Sequence, residues 1–422
     1  MMQFRALAPV ALACAVLFAA ACSEKLESTV GCPELCPGLG INVINTTIDA
    51  VTFDTTVGSA APFATEPFML LASRGDTLDS RVVIRFDSLP QRYRRALADT
   101  TTTAITTVDS AMLRLRLDLS EKQLAGPITV SAYDVDTDAT DTSAAALLPL
   151  FTAARLIGSQ TFASADLKDS VRVPLSNATV LAKARANARL RVGLRITGTT
   201  GQFHIYASES AIAPLLSFRV SADTAVKPLT FTPYSKTPSD AEQKLAFADF
   251  RLLVVTRPGG PPQSLLVGAL PAAKRTYMRF LIPASILDSS SVLRATLLLQ
   301  QMPNAGFGPL DTVAIVTHVV IAGKAITDPE QAARLIAAAE FTRTDTLRVA
   351  ANASGAREID IAPVLRIWRA QGDTLGPRAI VLRSAREGVS APQAWFYSVE
   401  AAPALRPRLR ISYTPANPFG LP

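Results

Sequence analysis

Apolar and polar residues alternate along this chain in short runs bounded by Gly, Asp, Ser or Pro. The clearest run is Ala111-Met112-Leu113-Arg114-Leu115-Arg116-Leu117, with Leu113, Leu115 and Leu117 on one face and Arg114 and Arg116 on the other. A period of two predicts a strand with one buried and one wet face. Ile48 to Phe53, Phe68 to Ala72, Arg81 to Phe86 and Ile128 to Tyr133 read the same way. A helical interlude rich in Ala and Leu is expected from Ala144 to Ile157. Strands then follow at Ser170 to Leu175, Leu190 to Ile196, His204 to Tyr206 and Leu215 to Val220.

After this point the order starts again. Ala153-Ala154-Arg155-Leu156-Ile157 returns as Ala332-Ala333-Arg334-Leu335-Ile336, and landmarks on both sides return in sequence. Val83-Ile84-Arg85-Phe86 corresponds to Tyr277-Met278-Arg279-Phe280. Ser170-Val171-Arg172-Val173 corresponds to Thr346-Leu347-Arg348-Val349, and Ile205-Tyr206-Ala207-Ser208-Glu209 to Phe396-Tyr397-Ser398-Val399-Glu400. The boundary falls near Asp223 to Val226, giving modules at 44–222 and 227–416 and a short tail at 417–422. Many short strands with turn residues between them predict an all-β protein. The expected architecture is two tandem jelly-roll-like β-sandwich modules with short helical crossovers. The repeated pentapeptide is expected to mark the crossover of each module, and carries no chemistry of its own.

The first residues change the picture from a globular protein to an exported one. Arg5 precedes an apolar, uncharged run from Ala6 to Ala21, which is short for a membrane span. It ends Ala19-Ala20-Ala21-Cys22-Ser23, which resembles a bacterial lipoprotein signal. Residues 1–21 are then the signal peptide, Cys22 the lipidated residue, and 22–43 a tether holding the body off the membrane. Ala19 stands where such signals prefer Leu, so ordinary signal-peptidase cleavage stays open as the alternative. Ser23 resembles the pattern for outer-membrane sorting, which places the expected location at the outer membrane.

Composition narrows the chemistry. The chain has 49% hydrophobic and 18% charged residues, enough apolar surface for buried cores. Its net charge of +7 is spread as single Arg residues along strands, which reads as solvated faces and not as a nucleic-acid surface. Beyond Cys14 and Cys22 only Cys32 and Cys36 remain, and in an oxidising compartment a local disulfide in the tether is expected. Asp134, Asp136, Asp138 and Asp141 place carboxylates at near-alternate positions, a spacing that can wrap Ca²⁺; a solvated loop is the competing expectation. Trp395 and Tyr397 would share a strand face, where a sugar ring could stack, although packing at a core or edge is favoured. Trp368 follows Ile361, Val364 and Leu365 at helical spacing and is expected in the core. His204 and His318 have no ligand partners at metal spacing, and no nucleophile elbow, zinc-protease motif or phosphate loop occurs. No enzyme activity is expected.

Arg279-Phe280, Leu293-Arg294-Ala295-Thr296-Leu297, Ile359 to Trp368, Phe396 to Glu400 and Pro407-Arg408-Leu409 form an ordered set. This set resembles the DNRLRE domain, a jelly-roll-like sandwich related to disaggregatase repeats and some carbohydrate-binding modules. The resemblance covers roughly Lys274 to Pro415, and implies an extracellular, non-catalytic module of a kind that can bind polysaccharide. The usual Trp and Glu after the strand equivalent to Val313 to His318 are absent between Ile321 and Glu330. The expected partners are a membrane through the lipid, a polysaccharide or envelope glycan, or alternatively another envelope protein docked on the sheets.

Overall fold

The computed structural model describes residues 43–59, 66–75, 77–96, 98–137, 143–236, 248–255, 260–268, 273–321, 346–372 and 378–415. Cys22, Cys32, Cys36, Asp138, Asp141 and the second copy of the repeated pentapeptide lie outside these residues.

The first repeat contributes β1 (Ile44–Ile48), β2 (Val51–Ser59), β3 (Phe68–Ser73), β4 (Leu78–Phe86), β5 (Arg92–Tyr93), β6 (Thr103–Ala104), β7 (Ser110–Leu124), β8 (Ile128–Asp134), β9 (Leu156–Phe162), β10 (Ser170–Leu175), β11 (Leu190–Gly198), β12 (Gly201–Tyr206) and β13 (Leu215–Arg219), with helices α1 (Ala144–Leu147) and α2 (Asn177–Arg185). The second contributes β14 (Leu229–Phe231), β15 (Asp249–Val255), β16 (Ser264–Gly268), β17 (Ala273–Phe280), β18 (Ser290–Met302), β19 (Thr312–Ile321), β20 (Leu347–Ala350), β21 (Gly355–Asp360), β22 (Arg378–Ser384), β23 (Gln393–Tyr397) and β24 (Arg408–Pro415), with helices α3 (Ala284–Leu287) and α4 (Ala362–Gln371).

The protein is all-β, built of two antiparallel β-sandwiches. In the first, β4, β11, β8 and β9 pair in order, while β7 pairs β10 on one edge and β12 and β13 on the other. In the second, β17, β22, β19 and β20 repeat the first set, and β18 with β21, β23 and β24 repeats the other. Residues 170–173 of β10 therefore match residues 356–359 of β21 and not 346–349, the match expected from sequence, because β20 pairs β19 and so takes the place of β9. The alternation predicted for residues 111–117 holds. Leu113, Leu115 and Leu117 lie in the core with Val171, Val173, Leu216 and Phe218, while Met112 and Arg114 are exposed. In the second core Leu297 and Leu299 meet Phe396, Leu409 and the α4 side chains Val364, Leu365 and Trp368.

The sandwiches do not follow the module boundary, because the first two strands of each repeat are exchanged. β1 pairs β24 and β2 pairs β17, so residues 44–59 complete the second sandwich. β14 pairs β13 and β15 pairs β4, so Leu229–Phe231 and Asp249–Val255 complete the first. The two exchanges occupy matching places, since β13 and β24, like β4 and β17, are equivalent strands. Alternation makes a segment a strand but does not choose its neighbour; here the choice falls on the other repeat.

The interlude also differs from expectation. α1 ends after one turn, Pro149 sits in a 3₁₀ turn, and a second 3₁₀ turn at Ala153–Arg155 leads directly into β9. The pentapeptide thus straddles a turn and a strand, with Leu156 exposed and Ile157 buried. β9 lies so close to β10 that a Cβ on Gly158 would stand 1.9 Å from the Pro174 carbonyl oxygen. Only glycine fits that approach.

Segment 385–392 of the second sandwich presses on β3, β7 and β12 of the first. Ala391 packs with Leu70, Ala72 and Leu78, and His204 Nε2 lies 3.2 Å from the Val389 carbonyl oxygen. Arg386 pairs with Glu121 at 3.0 Å and Asp118 at 3.3 Å, and Ser390 Oγ donates to Glu121. Nearby, Arg74 meets Asp311 at 2.9 Å.

Candidate functional site

The outer face of β10, β7, β13 and β14 is the candidate site. Register places Arg172 directly opposite Arg114, and Arg114 opposite Leu215 on the next strand. Side chains in such cross-strand pairs have Cβ atoms about 4.5–5.5 Å apart, and like charges there are destabilising. Arg116, Arg219 and Lys227 extend the same face. Among the described residues none of these five cations has a carboxylate in ion-pair range or a hydrogen-bond partner. The exposed side chain of Met112 lies one row away, opposite Ser217.

Three adjoining clefts cross this face, with volumes of about 440, 600 and 470 Å³. The first two share Arg114 and Leu215, and the last two share Arg172, so together they form one open trough. Ser208, Ser210, Ser217, Thr230 and Thr232 supply hydroxyls along it, and Asp166 is the carboxylate in its lining. The chemistry on offer is anion pairing beside hydroxyl hydrogen bonding, on a surface too open to exclude water.

The second sandwich provides an internal comparison at the same register. Leu298 stands where Arg114 stands and Glu358 where Arg172 stands; Arg408 faces that row from β24, and Arg410 lies one row away, opposite Thr296. Arg410 pairs with Glu358 at 2.6 Å. One copy of the fold therefore sets a carboxylate against a cation on this face, and the other sets cation against cation. The arginines were visible in the alternating strands as solvated positions; only the pairing of β10 with β7 brings them together.

The other candidate residues occupy different surroundings. Lys183 Nζ lies 2.8 Å from Asp136 and 3.3 Å from Asp134, and Arg189 Nε lies 2.6 Å from Asp136. Arg155 donates to the carbonyl oxygens of both residues. Burial pushes the Asp136 carboxyl up, but hydrogen bonds and charge from Lys183 and Arg189 outweigh it and hold the group below its ordinary value. Protein cations thus occupy the positions where Ca²⁺ would meet these two carboxylates.

Trp395 lies on the strand face opposite the core residues Ala394 and Phe396, between Leu266 and Met302 on neighbouring strands. It is only 9% exposed, so its indole presents no open ring face for a sugar, and its Nε1 has no hydrogen-bond partner among the described residues. Tyr397 is half-buried opposite Ser264. His204 is fully buried between the sandwiches, and His318 Nε2 accepts from Arg383 Nε at 3.2 Å.

Among the described residues no group of three or more His, Cys, Asp or Glu could hold a metal ion, and no helix is long and apolar enough to cross a membrane. No family model matches the chain, and no curated protein does. Among solved structures, a protein from Parabacteroides distasonis, provisionally described as secreted, aligns at 10% identity. The match covers 85% of this chain and 99% of that one, with a TM-score of 0.22. The Gx strain of infectious bursal disease virus aligns at 11% identity over 92% of this chain and 81% of that chain, with a TM-score of 0.11. Likeness at that level carries no argument, and the fold stands on its own sheets.

Proposed function

We propose that this chain is an exported, lipid-anchored, non-catalytic protein of the bacterial envelope that binds an acidic polysaccharide in the trough on its first sandwich. The observation that carries the reading is the Arg172–Arg114 row, two directly opposed cations left without counter-ions where the twin sandwich supplies Glu358. An extended anionic chain would relieve that repulsion, and the serine and threonine hydroxyls alongside suit a sugar polymer. The lining of the trough supplies hydroxyls, aliphatic groups and cations; its aromatic residues, Phe162 and Phe218, belong to the core, which argues against base stacking. The lipoprotein-like N-terminus and the resemblance to DNRLRE modules support the same setting.

Affinity electrophoresis through polygalacturonate and through neutral dextran tests the reading. Polygalacturonate is expected to retard the protein. Arg114→Glu/Arg172→Glu should abolish retardation, while Arg94→Glu/Arg95→Glu, with the same change in net charge on an exposed loop, should not. Equal loss in both variants would reduce the effect to net charge and overturn the site. Migration unaffected by any glycan, with another envelope protein co-purifying, would favour an adaptor role instead.

A further inference from the structure

Each exchanged strand carries an aspartate at the same place. Asp54 on β2 lies opposite Met278, and Asp249 on β15 lies opposite Ile84, the residue equivalent to Met278. Both are buried, with 7% and 1% of their surface exposed. Each reaches the segment that follows the equivalent host strand, β23 or β12. Asp54 Oδ2 accepts from the Val399 backbone N–H at 2.9 Å. Asp249 accepts from the Ser208 N–H at 2.8 Å and from the Ser208 hydroxyl at 3.0 Å. The next residue in each host is a glutamate, Glu400 or Glu209.

Among the described residues neither pair has a counter-ion. Asp54 faces Val399, Glu400 and Met278; the Glu400 carboxylate accepts from the Ser398 hydroxyl. Asp249 faces Ser208, Glu209 and Ile84, with Glu66 beyond Glu209 already paired to Arg251 at 2.8 Å. Glu209 Oε2 is buried with no hydrogen-bond partner among the described residues. A buried carboxyl with a second carboxylate beside it and no cation holds its own proton more tightly. Burial first, and the neighbouring glutamate after it, pushes Asp249 up to about 8; burial with the Glu400 charge pushes Asp54 up to about 6.

We propose that these carboxyls are protonation latches, each holding its exchanged strand in the host sandwich while it keeps its proton and loosening that strand once the proton is lost. When a strand opens, its aspartate meets water and titrates at about 4. The closed strand holds the proton to a higher pH, so opening releases it. The opening constant therefore rises up to about tenfold per pH unit from about pH 4 to the closed-state value, and is level above it. For β2 the level region begins near pH 6, and for β15 near pH 8. At neutral pH the latch on the second sandwich is spent and that on the first still tightens with acid.

Hydrogen exchange on the full chain between pH 5 and pH 9, corrected for intrinsic rates, reads both opening constants against the central strand β11. The rise for residues 249–255 should continue to about pH 8, and that for residues 51–57 should stop near pH 6. Asp249→Asn should flatten the profile of β15 and leave that of β2 as it was. Glu209→Gln, a milder change, should bring β15 to its level region at lower pH. Identical profiles for β15 and β11, an unaltered slope in Asp249→Asn, or an unmoved break in Glu209→Gln would each overturn the latch.

Discussion

Arg74→Met removes the cation that faces a fully buried carboxylate across the contact between the sandwiches. The Asp311 side chain is 0% exposed, and Arg74 grips it with both Nη atoms at 2.9 Å. Removing one partner of a buried pair costs about 3–5 kcal/mol, because the other charge stays behind. Asp311 would still accept from Gln123 Nε2 at 3.1 Å and from the Gly308 N–H at 2.7 Å. Those two bonds, each worth about 1 kcal/mol, reduce the expected loss to roughly 1–3 kcal/mol. At about 2–4 °C per kcal/mol for a domain of this size, that corresponds to a fall in Tm of roughly 2–12 °C. Urea unfolding followed by tryptophan fluorescence measures it from the far side, since Trp368 and Trp395 both lie in the second sandwich. Arg74→Met/Asp311→Leu should recover most of the loss, because an apolar pair leaves no buried charge. A change below about 0.5 kcal/mol in the single variant would refute the reasoning, as surface substitutions fall in that range.

Two further outcomes are expected. Lys183→Ala frees one side of Asp134 and Asp136, and calorimetric titration with Ca²⁺ should then show tighter binding than in the native chain; an unchanged titration would exclude these two carboxylates from a cation site. Metabolic labelling with a palmitate analogue should vanish in Cys22→Ser, and retained label would send the N-terminus to ordinary cleavage.

Strand pattern and most of the repeat order were legible because both depend on local periodicity; Arg172 was matched to Arg348 by a shared Arg-Val texture, whereas sheet pairing puts Glu358 in its place. Leu113, Leu115 and Leu117 could only face inward together, and the helical spacing of Val364, Leu365 and Trp368 led equally directly to a buried helix face. The exchange of β1, β2, β14 and β15 was not legible, since a strand's partner is set by linkers and long-range register. The candidate site was half legible. Arg114 and Arg116 were visible on the outer face, but Arg172 joins them only through the pairing of β10 with β7. Asp54 and Asp249 gave the opposite problem, because an aspartate within a strand reads as a wet position. Their one signal was recurrence on the opening strands of both repeats. Trp395 shows the limit of reading a face by alternation: it points away from the core and is covered all the same.

Strand exchange also decides how this protein would carry tension. A pull on the chain ahead of β1 reaches β24 and β17 first, through β1 and β2. Both pairings must yield before the load can pass along the chain to β3. The second sandwich therefore bears the strain and the first is shielded, although the first lies nearer the N-terminus in sequence. In an anchored protein that order would keep the basic trough at rest while the chain beneath it is stretched.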